Sequence, residues 1–190
     1  MAKCLICNSR KGKRKCIDKN GFICSLCCGG SRSLEKCDGC SFYKGEKSSR
    51  NYKMVPYWAL SDMADEHSLQ VDANSIESAI CAFDEKQDRD LNDENIVKII
   101  KLLLDKYYFK DEKLFFSNKL EEDGFLSVDQ AIKEDLSKES SDEIAKLLGT
   151  IYRSALRHKD YRRAYLDFIH KHVGLRIGKG SRLLNSLSLD

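Results

Sequence analysis

The chain has 190 residues, 42% of them apolar and 33% charged, with a formal net charge of +3 and a single proline, Pro56. That length suits one ordinary domain, or a small domain plus a medium one, and the high charge with so little proline points to a helical, well-solvated protein. No apolar run approaches the roughly 20 residues of a membrane-spanning helix, and the opening Met-Ala-Lys-Cys-Leu-Ile-Cys has no apolar signal-peptide region. A membrane role is therefore not expected, and a cytoplasmic location is.

Charge is segregated along the chain. Residues 1–53 carry +9, residues 54–151 carry −12 and residues 152–190 carry +6. Two basic ends flank an acidic middle, a layout that permits self-association between copies as well as binding to another molecule.

Eight of the nine cysteines fall in the first forty residues: Cys4, Cys7, Cys16, Cys24, Cys27, Cys28, Cys37 and Cys40. Without secretion, paired cysteines are metal ligands before they are disulfides. Eight thiolates close two four-coordinate zinc sites, so two zinc ions are expected, with no open position for a catalytic water. Each Cys-x-x-Cys pair can form a knuckle, and the residue after it often takes positive φ, which Asn8 after Cys7 tolerates. Asn20 and Gly21, between two short β-prone runs, signal a hairpin with Cys16 and Cys24 on its arms. Adjacent Cys27 and Cys28 diverge, so one is expected on each metal. Two groupings are open. A crossed one puts Cys4, Cys7, Cys24 and Cys27 on one zinc and Cys16, Cys28, Cys37 and Cys40 on the other. A sequential one puts Cys4, Cys7, Cys16 and Cys24 together.

Residues 4–40 resemble the cross-brace two-zinc fingers, the class that includes RING, B-box, MYND and HIT-type fingers. The pairs Cys4/Cys7, Cys24/Cys27 and Cys37/Cys40 carry the likeness. Cys16 has no Cys-x-x-Cys partner, Cys28 is an additional cysteine, and no histidine precedes His67. The resemblance implies a compact module whose zinc is structural and whose surface is a protein-binding platform.

Residues 44–56 read as a linker after a finger at 1–43, with Pro56 opening a helical domain at 57–173 and Trp58 packing near the junction. Asn74 with Glu77 suggests an N-cap ahead of Ile76, Ile80 and Phe83, and Cys81 beside that stripe reads as a free, buried thiol. Asn92 is expected to cap a helix bearing Ile96, Ile99, Ile100, Leu103 and Leu104. Gly124 is expected to break the element around it. Ser127 with Gln130, and Ser140 with Glu143, are further capping signatures. The second opens a helix with Ile144, Leu147, Leu148 and Ile151. Asp160 is expected to cap the last helix, the two forming an antiparallel helical hairpin. From Gly174 the chain reads as a basic, flexible tail over 174–190. The fold expected is thus a small zinc-stabilised finger of β-hairpin and knuckles, followed by a mainly α-helical domain.

No nucleophile or metalloprotease motif occurs, so nothing nominates an enzyme. The carboxylates of the middle read as a solvated acidic face, and His158, His170 and His172 as surface histidines. The basic residues Arg10, Lys11, Lys13, Arg14 and Lys15 form a dense cluster on the finger, and Arg153, Arg157, Arg162, Arg163, Arg176, Lys179 and Arg182 a second basic group near the C-terminus. The function expected is a zinc-binding, non-enzymatic adaptor that recognises a protein partner. The alternative is a nucleic-acid-binding protein with both basic groups on phosphates.

Overall fold

A computed structural model describes residues 3–32, 34–37, 40–43, 50–158 and 160–184. The chain divides into two compact units, Met1–Arg50 and Asn51–Asp190.

In the first unit, β1 (Arg14–Cys16) pairs antiparallel with β2 (Gly21–Ile23), with Lys15 opposite Phe22. The connection spans residues 17–20, with Asn20 at φ 45°. The turn is therefore four residues long, and Gly21 already belongs to the strand. Cys24 follows β2 directly and caps α1 (Ser25–Gly30), its sulfur accepting from the Cys27 amide. A single turn, α2 (Leu34–Cys37), comes next. The buried core of this unit consists of Cys4, Ile23, Cys24 and Cys28, far too little apolar surface to fold by burial alone.

The second unit is built on four long helices: α4 (His67–Lys86), α5 (Asp93–Tyr107), α6 (Lys119–Asp135) and α7 (Ser141–Arg157), preceded by the short α3 (Leu60–Asp65). α4 packs on α6, α6 on α5, α5 on α7 and α7 on α4, which closes a four-helix ring. Fully buried Ile76, Ile80, Ile96, Ile99, Ile100, Leu103, Leu104, Ile132, Leu147 and Leu148 fill it. Each such side chain contributes about 1.5–3 kcal/mol of transfer free energy. None of the helices among the described residues is long and apolar enough to cross a membrane.

Two of the expected caps hold. Asn92 and Ser140 accept from the amides of Asn95 and Glu143, whose side chains return the bond. Others give way to tertiary packing. Asn74 and Glu77 lie inside α4, which starts seven residues before Asn74. Gly124 does not break a helix. It sits within α6, where a Cβ would collide with Ile99 and Phe83, so its lack of a side chain sets the close approach of α6 to the core. Ser127 is likewise interior to α6, whose cap is Asn118 accepting from Glu121. Pro56 opens no helix, because α3 begins at Leu60. The Pro56 carbonyl instead lies where a Cβ on Gly149 would stand.

The end of the expected linker belongs to the helical unit. Val55 is buried in the helical core, Tyr52 donates to Asp105 at 2.8 Å, and Arg153 donates to the carbonyls of Lys53 and Val55. Trp58 packs against the same core, its amide donating to Thr150.

The last helix, α8 (Ala164–His172), packs on α4 and α5 and forms no antiparallel hairpin with α7. Its cap comes from across the fold. Asp93, at the start of α5, accepts from the amides of Tyr165 and Leu166 at 3.0 and 3.1 Å, displacing Asp160 from that role. The basic segment from Gly174, expected as a tail, carries an antiparallel hairpin, β3 (Leu175–Gly178) with β4 (Ser181–Leu183). Arg176 holds it to α6 through Asp135 at 2.7 Å and Glu134 at 2.5 Å.

The solvated acidic face is interrupted by buried members. Asp84 and Glu121 are buried, and His170 is buried rather than on the surface. Asp84 accepts from both ends of the Arg163 guanidinium, at 3.2 and 2.8 Å, and from His170 Nε2 at 2.8 Å. Arg163 also donates to the carbonyls of Arg89 and Leu91, so one carboxylate joins α4, the loop after it and α8. Burial alone would raise the Asp84 carboxyl, but the hydrogen bonds from His170 and Arg163 outweigh it and hold it down at about 2.

A folded value below the ordinary 3.8 means that this contribution is complete above 3.8 and is lost as pH falls toward 2. Asp84→Ala removes the carboxylate that pairs buried His170 and the Arg163 guanidinium, leaving Arg163 with Asp167 at 3.5 Å and two backbone carbonyls. It is expected to cost ~3–5 kcal/mol at neutral pH, read by urea unfolding under far-UV circular dichroism. A loss below about 1 kcal/mol, the size of an exposed pair, would contradict the structural role of this network.

Candidate metal centre

The knuckle at Cys4 is built by backbone geometry. The Cys4 amide donates to the Arg10 carbonyl at 2.8 Å, and the Asn8 amide returns to the Cys4 carbonyl at 2.9 Å. Asn8 takes φ 51°, the left-handed conformation expected for the residue after Cys7. The second pair sits at the start of α1, where Cys24 and Cys27 fall on one turn and the Cys28 amide donates to the Cys24 carbonyl at 2.9 Å. The bridge between Lys3 and Lys11, and the bond from the Leu5 amide to the Phe22 carbonyl, lay the first knuckle along the hairpin.

The sulfurs of Cys4, Cys7, Cys24 and Cys27 all lie within 4.8 Å of one another, and Cys7 and Cys24 are 4.0 Å apart. A tetrahedral ion with metal–sulfur bonds of 2.3 Å requires sulfurs about 3.8 Å apart. These four could hold one metal ion. They are the first set of the crossed grouping; Cys27, not Cys16, joins Cys4, Cys7 and Cys24.

The electrostatics fit a cation at this point. The Ser9 hydroxyl and the amides of Ser9 and Arg10 pull the Cys7 thiol down to about 5. Cys27 is pushed up to about 12, first by its hydrogen-bonded neighbour Cys24 and then by burial. Four thiolates cannot share this volume without a compensating positive charge.

The other four cysteines line one small enclosed cavity together with Ile23 and Phe42. Cys16 comes from β1, Cys28 from α1, Cys37 from the end of α2, and Cys40 from the following turn, where its amide donates to the Cys37 carbonyl at 3.0 Å. Among the described residues, the first set alone forms a tight metal-type cluster. Arg14, expected on the outward basic loop, instead turns inward, donating to Cys28 Sγ at 3.5 Å and lying over the Phe42 ring. That contact holds the Cys28 thiol below its ordinary value, against its burial.

Arg10, Lys11, Lys13 and Lys15 are exposed, as a contact loop requires. All nine cysteines are free, and Cys81 is buried in the helical core, where burial raises its thiol. No protein-family model, curated protein or solved structure matches the chain.

Cys24→Ser removes a candidate ligand and the cap of α1 together. If the cluster holds a metal, the expected result is loss of metal binding and of the dispersed amide resonances of the first unit, while the helical circular dichroism of the second unit persists. Concurrent loss of that helical signal would show that the two units fold as one.

Proposed function

We propose that residues 4–40 form a two-zinc finger of the cross-brace kind. Cys4, Cys7, Cys24 and Cys27 hold one zinc, and Cys16, Cys28, Cys37 and Cys40 hold the other. All-thiolate ligands and knuckle spacing favour zinc, and the absence of a Cys-x₂-Cys-x₂-Cys run disfavours an iron–sulfur cluster. The enclosed cavity shared by the second set supports a second ion. Eight cysteines on zinc and one buried thiol suit a reducing, cytoplasmic setting.

On this reading the protein is a non-enzymatic adaptor, and the finger presents a basic surface to a protein partner. The observation that carries it is the outer face of the hairpin. Phe22 is 47% exposed and stands directly across from exposed Lys15, with Lys13 on the same alternation. An exposed aromatic beside lysines suits an acidic protein surface, the acidic middle of a second copy included. Exposed aromatics beside cations also suit single-stranded nucleic acid, which keeps that alternative in play. It is weakened because Arg153, Arg163 and Arg176 are occupied within the helical unit.

Two variants separate these readings: Phe22→Ala, and Lys13→Glu with Lys15→Glu. Each should keep its zinc, about two ions per chain, and lose a partner that cross-links to the wild-type finger in cells. Generic single-stranded oligonucleotides should not bind at low salt, where phosphate contacts are strongest. Salt-sensitive oligonucleotide binding abolished by the lysine changes would replace the adaptor reading with the nucleic-acid one. One zinc per chain would overturn the second site.

A further inference from the structure

The helical unit contains a cavity unrelated to the cysteine cluster. A cavity of about 210 Å³ lies between α3, α4 and α7. Leu60, Met63, Ala73 and Ile151 form its apolar lining. Its polar lining is two matching rows: Gln70, Asn74 and Glu77 on α4, and Thr150, Ser154 and Arg157 on α7. Both rows run i, i+4, i+7, the spacing that puts three side chains on one helix face. Gln70, Asn74, Glu77, Thr150 and Ser154 are half-buried and Arg157 is exposed, so polar groups there that lack a protein partner are open to water or to a ligand.

Part of each row is satisfied. Gln70 donates to the Met63 carbonyl at 2.7 Å, and Thr150 accepts from the Trp58 amide at 2.9 Å and donates to the Lys146 carbonyl at 3.0 Å. The rest is not. Among the described residues, the Asn74 amide, the Ser154 hydroxyl and the terminal nitrogens of Arg157 have no protein partner. Among the described residues, Glu77 accepts one hydrogen bond, from the fully buried Tyr165 hydroxyl at 2.8 Å, and forms no ion pair, although Arg157 lines the same cavity. Burial drives the Glu77 carboxyl up to about 7, against the lowering effects of Tyr165, His158 and Arg182. A carboxylate in that position lacks a close cation, and a guanidinium shares its cavity without reaching it.

We propose that this cavity binds a small ligand with an ammonium group at one end and a carboxylate at the other, an amino acid or a compound of that class. Glu77, fixed by Tyr165, takes the ammonium. Arg157, exposed on the last turn of α7, takes the carboxylate. Asn74 and Ser154 supply the remaining hydrogen bonds, and the apolar lining receives the side chain. The volume lies below the 300–1,000 Å³ of sites for drug-sized ligands and suits a ligand of amino-acid size.

The test uses the full chain and three probes of one shape: L-leucine, 3-methylbutylamine, which lacks the carboxylate, and 4-methylpentanoate, which lacks the ammonium. Calorimetry and amide chemical shifts are expected to show saturable binding of leucine, with shifts on α4 and α7, weaker binding of the amine, and little of the acid. Glu77→Gln keeps an acceptor for Tyr165 and should weaken leucine about tenfold or more. Arg157→Ala changes an exposed residue. It should reduce leucine to the level of the amine and leave the amine unchanged. No saturable binding of either ammonium probe, binding unaffected by Glu77→Gln, or an acid that binds as well as leucine would each overturn the proposal.

Discussion

Four sulfur atoms within 4.8 Å of one another form an arrangement that thiolates cannot sustain alone. The first unit depends on how that crowding is resolved. Its buried core is three cysteines and one isoleucine, so the groups that would hold a metal are also the groups that would otherwise have to form the hydrophobic core. A small segment of this kind would derive its folding free energy from metal coordination. The hairpin, the knuckles and the basic outer face are arranged around that point. The same logic accounts for the inward turn of Arg14, which sets a fixed cation against the sulfur of Cys28.

The helical unit solves its own organisational problem with a different buried charge. Asp84, fully excluded from water, collects Arg163 and His170 from the far end of the chain. Removing His170 or Arg163 leaves the buried carboxylate with fewer donors in an interior that cannot solvate it, so the network specifies where α8 must lie. Asp93 does the same for the start of α8, and Asp135 for the terminal hairpin. In each case an acidic residue of the middle segment receives backbone or guanidinium donors from the basic C-terminal segment. The charge segregation along the chain is to that extent consumed internally.

This explains which features are legible in the sequence. The pairs Cys4/Cys7 and Cys24/Cys27 were legible because Cys-x-x-Cys spacing is local; that the two pairs share one cluster was one of two open groupings, and it is decided by the fold. Asn92 and Ser140 were legible because a cap reads only its own helix. Asn74 and Glu77 have the same local signature, yet they lie mid-helix because α4 already begins at His67. Gly124 looks like a breaker until the side chains of Ile99 and Phe83 occupy the space above it. Asp84 and His170 are indistinguishable from surface residues in sequence, since their pairing spans 86 positions. The polar rows of α4 and α7 did carry a signal: two triads of identical spacing, each interrupting an apolar helix.

The capping of α8 by Asp93 has a consequence for the order in which the protein assembles. Nine residues are too few to hold a helix in water without tertiary support. The amides that open this helix are satisfied by a side chain about seventy positions earlier. Forming α8 therefore requires closing a long loop onto a pre-existing α5, and such non-local contacts are made late. The C-terminal end of the chain is thus a follower in folding. Hydrogen exchange during refolding should register this as protection of Tyr165 and Leu166 after that of α5; simultaneous protection would mean that the loop closes as early as the helices form.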